Sequence, residues 1–153
     1  MSEWPVHGAF PHQHGDARGL MERIQAQLRE RIEEAVEMAA LKLMVDLRAA
    51  TGRPAPETTS TADRAEFEAG SRALLAWLRG AYLAELPADL RAGFDEAEAA
   101  AGDQPAARLL TGQVWLARRL PDYWQRFEGY QRRYAEQQLA DPTGPGWLKR
   151  LFG

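Results

Sequence analysis

The chain has 153 residues, a formal net charge of −3, 45% hydrophobic and 27% charged residues, the size and balance of one globular domain with a core of its own. So small a charge gives no global attraction to nucleic acid, and the absence of cysteine excludes disulfides and thiolate metal sites and fits a reducing cytoplasm. No run approaches the roughly 18 apolar residues of a membrane span, and Met1 to Pro5 lack the basic-then-apolar layout of a signal peptide.

Residues 1–15 hold Pro5, Gly8, Pro11, Gly15 and the histidines His7, His12 and His14 without a helical period, and are expected as an irregular arm. Asp16 suits an N-cap and Gly52 with Pro54 suits a stop, so the pattern between them predicts one long helix, about 50 Å if continuous. Its halves differ. From Leu20 to Ile32 the apolar residues form a narrow ladder (Leu20, Ile24, Leu28, Ile32) among Arg23, Arg29, Glu30, Arg31 and Glu33. Such a stripe suits pairing with another chain, so a homo-oligomer is expected. From Ala35 to Leu47 the helix is apolar on most sides, with Val36, Met38, Ala39, Leu41, Leu43, Met44, Val45 and Leu47, and is expected as the buried spine.

Residues 52–60 read as a loop, after which Ser60 with Asp63, or Thr61, caps a second helix. Its face is Phe67, Leu74, Leu75, Trp77, Leu78, Tyr82 and Leu83, and Pro87 ends it. A third helix starts at Pro87, carries Leu90, Phe94 and Ala97, and stops near Gly102. Asp103 is expected to cap a fourth, with Pro105 in its first turn and Leu109, Leu110, Val114, Leu116 and Leu120 on its apolar side. Pro121 interrupts that pattern, because its ring clashes with the preceding turn. A fifth helix then runs to about Leu139, with Tyr123, Phe127, Tyr130 and Tyr134 at helical spacing. No strand-like alternation appears. The expected fold is all-α: a single bundle of four to five helices over residues 16–140 with a long first helix, a Pro/Gly linker at 141–146, and a detached amphipathic tail helix at 147–153.

On a helical wheel the tail residues Trp147, Leu148, Leu151 and Phe152 share an arc of roughly 140°, with Lys149 and Arg150 opposite. This is the layout of an interfacial helix, whose apolar residues enter the acyl boundary while its cations meet anionic headgroups. Trp147 suits the headgroup region, being apolar with one N–H to satisfy. Trp-Leu-Lys-Arg-Leu-Phe-Gly at 147–153 resembles the C-terminal membrane-targeting sequence of MinD, the bacterial division-site ATPase, where Phe usually stands at the position of Trp147. The tail of the actin-like division protein FtsA is a looser relative of the same design. The resemblance covers the tail alone and implies membrane binding by residues 147–152. The chain has no Gly-x-x-x-x-Gly-Lys-Ser/Thr loop, so no nucleotide chemistry carries over.

Four partly inserted apolar side chains contribute roughly 4–6 kcal/mol and each cation about 1 kcal/mol at an anionic surface. Ordering so short a helix costs several kcal/mol. One tail is therefore a marginal anchor, and two on one particle hold far better. The same side chains also suit a helix-in-groove contact with a protein, or packing on the chain's own bundle.

Other constellations carry less. His7, His12 and His14, near Glu3 and Asp16, have metal-ligand chemistry but lie among Pro and Gly without a preformed geometry, so no metal or other cofactor is expected. Glu30, Glu33, Glu34 and Glu37 read as a solvated acidic face, since carboxylate-bridged metal bundles need Glu-x-x-His pairs and no histidine follows His14. Ser2, Ser60 and Ser71 have no histidine placed to activate them, so catalysis is not expected. Tyr123, Trp124, Phe127, Tyr130 and Tyr134 interleave with Arg126, Arg132 and Arg133, a pattern that reads as core aromatics with arginine stems at the rim. Its alternative is a partner surface of Tyr123, Arg126, Tyr130, Arg133 and Tyr134 for protein or anionic lipid, with nucleic acid disfavoured. Basic residues are almost all arginine, Lys42 and Lys149 excepted, a bias of GC-rich bacterial genomes.

Together these point to a non-catalytic cytoplasmic adaptor or regulator at the inner leaflet, with an anionic membrane and an unidentified protein as partners. The alternatives are a soluble assembly subunit whose tail fills a groove on a larger complex, and a coat protein of a storage granule or lipid body.

Overall fold

The computed structural model describes the backbone from Val6 to Asp141 and the side chains of residues 17–141. The linker from residue 142 on, the tail (Trp147, Leu148, Lys149, Arg150, Leu151, Phe152) and the side chains of His7, His12 and His14 lie outside the described residues. The described residues form five helices: α1 (Val6–Ala50), α2 (Thr61–Ala84), α3 (Ala88–Ala100), α4 (Pro105–Arg119) and α5 (Tyr123–Ala140). The molecule is all-α, as its period predicts, and no strand occurs among the described residues. The start of α1 differs from expectation: it begins at Val6, ahead of the Asp16 cap, so the segment expected as an arm is helical from Val6 on. Extending an existing helix costs no new nucleation, so the strong pattern after Leu20 can propagate backward into this segment.

The other ends follow local chemistry. Gly52 ends α1 at φ 71, the left-handed region that favours glycine. The Arg53 N–H then reaches the Arg48 carbonyl at 2.8 Å and the Gly52 N–H the Ala49 carbonyl at 3.4 Å, a Schellman closure. Ser60 caps α2 through its Oγ, which accepts from the Asp63 N–H at 3.2 Å. Gln104, rather than Asp103, precedes α4, with Pro105 in the first turn and no side-chain cap. Pro105 presets the helical φ and brings no N–H to satisfy, which lessens what a cap would contribute. Leu120 turns extended before Pro121, and α5 restarts at Tyr123.

Helices α1, α2, α4 and α5 enclose the core, and α3 lies against α4. Successive helices alternate in direction. Arg48 at the end of α1 meets Asp63 and Glu66 at the start of α2, Trp77 and Tyr82 of α2 meet Tyr134 and Tyr123 of α5, and α5 consequently runs in the direction of α1. The core centres on Ile32, Tyr82, Phe94, Leu116 and Tyr123, each essentially inaccessible. Packing between α3 and α4 is close: a Cβ at Gly93 would stand 2.8 Å from the Trp115 ring, so only glycine fits there without a shift.

Candidate interaction surface

Ion pairs and tyrosine hydrogen bonds link the helices of the bundle. Arg48 Nη2 donates to Asp63 Oδ1 at 2.6 Å and to Glu66 Oε1 at 2.8 Å, with Arg48 and Glu66 both buried. Its hydrogen bond holds the Asp63 carboxyl below the usual carboxylate range, assisted by the Glu57 N–H, which donates to Asp63 Oδ2 at 2.7 Å. Between α2 and α3, Arg79 Nε and Nη2 donate to the two oxygens of buried Glu98 at 2.7 and 2.9 Å, the bidentate fork geometry. Deeper in, the Tyr82 hydroxyl donates to the Tyr123 carbonyl at 2.7 Å, and the Tyr123 hydroxyl donates to Gln113 Oε1 at 2.6 Å. The Tyr130 hydroxyl donates to Glu85. Burial raises the pKa of all three phenols, which keeps them neutral donors. These contacts join α1 to α2, α2 to α3 and α5, and α4 to α5, although the buried Arg48 Nε has no hydrogen-bond partner.

That network decides the fate of the fifth-helix surface. Tyr123, Tyr130 and Tyr134 are buried and belong to the core cluster with Phe127, so they do not form a partner surface. The apolar faces of α2 and α4 need covering, and these rings are the largest apolar area available on α5. Arg126 turns to Asp122, its Nε donating at 2.8 Å and holding that carboxyl low. Arg133 is exposed, with its guanidinium over Trp77 and over Tyr130, each 5.4 Å from the ring centroid. The arginines cover the rim while the rings face the core.

The expected oligomer stripe divides. Leu20 and Ile24 are exposed, Leu28 packs partly against the core, and Ile32 is fully buried. Positions four apart advance about 40° around a helix, so this ladder rotates from solvent into the chain's own bundle. The expected spine divides too. Val36, Ala40, Leu43, Met44 and Leu47 are buried, whereas Met38 is 73% exposed, Leu41 46% and Val45 40%.

One outward face therefore runs along α1. It carries Leu20, Ile24, Gln27, Arg31, Glu34, Met38, Leu41 and Val45, separated alternately by four and three residues. The large exposed hydrophobics among the described residues all lie on α1, and Met21 is the only one off this line. Beside it on the α5 side, an open cleft is lined by Met38, Lys42, Trp124 and Glu128. On the α2 side another is lined by Leu41, Pro56 and Phe67. Arg31 stacks on Trp124, 4.1 Å from the ring centroid. Sequence reading passes over this face because Gln27, Arg31 and Glu34 interrupt its hydrophobicity. The signal that finds it is the four-three spacing continued through those polar positions.

Compared with protein-family models, with curated proteins and with solved structures, the chain finds no match.

Proposed function

We propose that the chain is a non-catalytic peripheral membrane adaptor, whose helical body presents a protein-binding surface and whose residues 147–152 attach it to an anionic leaflet on the cytoplasmic side. The observation that carries this reading is the division of the tail into an apolar arc (Trp147, Leu148, Leu151, Phe152) and a cationic one (Lys149, Arg150). Two features of the body support it. No described helix is long and apolar enough to cross a membrane, which is compatible with attachment through the tail. The body also buries its own aromatics and polar groups, leaving α1 as the apolar surface it offers to others.

Co-sedimentation with vesicles containing anionic phosphatidylserine or phosphatidylglycerol tests this, comparing the full chain with one ending at Gly144. The full chain pellets with anionic vesicles and releases at high salt, while the shortened chain stays in the supernatant. Equal pelleting of the two removes the anchor.

The second reading, a soluble subunit whose tail fills a protein groove, draws support from the exposed apolar face of α1, which fits assembly as well as it fits an adaptor. Charge reversal separates the two. Lys149→Glu with Arg150→Glu abolishes lipid binding but leaves a groove contact largely intact, whereas Trp147→Ala impairs either.

A further inference from the structure

We propose that the outward face of α1 is a self-association surface, on which a second copy of this chain lays the same face antiparallel to form a two-fold dimer. The inference stands on α1 alone and holds whether or not the tail binds lipid.

The spacing supplies the first argument. Apolar residues at positions separated alternately by four and three form the seam of a two-stranded coiled coil, and along this line Leu20 and Ile24 at one end and Met38, Leu41 and Val45 at the other are exposed, with Gln27, Arg31 and Glu34 between them. An ideal helix drifts about 20° per heptad from such a line, so the seam stays in contact through a slight left-handed supercoil.

Charge selects the direction. A parallel, in-register pair would set Arg31 against Arg31 and Glu34 against Glu34 at the centre of the seam, two like-charge contacts. The antiparallel pair sets Arg31 against the second copy's Glu34, and two-fold symmetry repeats the contact. The same register sets Leu20 against Val45, Ile24 against Leu41 and Gln27 against Met38. The polar centre that interrupts the hydrophobic face thereby becomes its self-complementary middle, with apolar pairs at each end. No ion pair among the described residues engages Arg31 or Glu34. The Arg31 guanidinium carbon lies 4.1 Å from the Trp124 ring centroid, a contact with a neutral ring that leaves its charge to be matched by a carboxylate. The like-charged neighbours Glu30 and Glu37 lie at the outer edge of this seam, exposed, where salt screens them.

Sedimentation of the full chain from micromolar to hundreds of micromolar is the test. A concentration-dependent dimer is expected, weakened about tenfold or more by Arg31→Glu and likewise by Glu34→Arg, and returned to within about threefold of the parent by the two together. Circular dichroism checks that each variant keeps its helices. A monomer throughout, or a double variant no tighter than the singles, overturns the proposal. The chain is free of cysteine, so direction can be read by disulfide trapping. Mixed Ile24→Cys and Leu41→Cys chains crosslink to each other on mild oxidation. Ile24→Cys alone does not, because its two copies stand about 25 Å apart in the antiparallel pair. Efficient crosslinking of Ile24→Cys to itself shows a different pairing and overturns this one.

Discussion

The inward and outward faces of α1 both carry large aliphatic residues but differ in continuity. Inward, Ile32, Val36, Ala40, Leu43 and Leu47 follow without a polar interruption and are buried, and all but Ala40 belong to the core cluster. Outward, Leu20 and Ile24 are separated from Met38, Leu41 and Val45 by Gln27, Arg31 and Glu34. Both faces carry strong hydrophobes, so hydrophobicity alone does not say which is the core. A core face must be apolar along its whole contact, because a buried polar group needs a partner. A face between chains tolerates polar positions and uses them to choose register. After Ala35 the helix is apolar on most sides, and those residues divide between the core and an exposed face.

That contrast sets a scale for substitutions. Ile32→Ala on the inward face leaves a cavity at a fully buried site and lowers stability by about 3 kcal/mol in urea unfolding. A loss below about 1 kcal/mol would place Ile32 with the outward set. The next effect comes where the outward line ends. The position after Val45 in the four-three series is Arg48, which turns inward to Asp63 and Glu66. The Asp63 carboxyl is held below its ordinary value when folded, so its contribution is present above an unfolded pKa of about 3.9 and is lost as pH falls through the lower folded value. Asp63→Asn is therefore less stable at neutral pH, and its urea midpoint changes less than the parent's between neutral and strongly acid solution. Parallel pH profiles would show that the pair contributes nothing. The smallest effect is expected at Met38→Ala, where a side chain 73% exposed leaves the monomer within about 0.5 kcal/mol of the parent. A loss at Met38 comparable to that at Ile32 would erase the distinction between the faces.

The helices were legible because their signals are local. Gly52, Ser60, Pro87, Pro105 and Pro121 act through backbone geometry within one turn, and the structure places element ends beside each. The inward aromatics of α5 were legible for the same reason, their spacing matching the helical period. Ion pairs were not, since Arg79 and Glu98, or Arg48 and Glu66, meet only after separate helices dock. Nothing in their own segments marks them except a charge on an otherwise apolar face. The outward face was half legible: its apolar residues are plain, but their division between core and surface depends on which side α2, α4 and α5 occupy. The start of α1 depended on propagation from a distant strong pattern, which a search for local caps does not see.

Trp77, Trp115 and Trp124 share one arrangement. Arg133 lies over the first at 5.4 Å, Arg119 over the second at 4.8 Å and Arg31 over the third at 4.1 Å. To a small solute each indole presents as a positively charged site, so an anionic collisional quencher is drawn toward it and a cationic one is held off. Emission from these three indoles is thus expected to respond to the sign of a small quencher. Of the three, Trp124 lies beside the outward face of α1, so its quenching is the one expected to fall if a second copy covers that face.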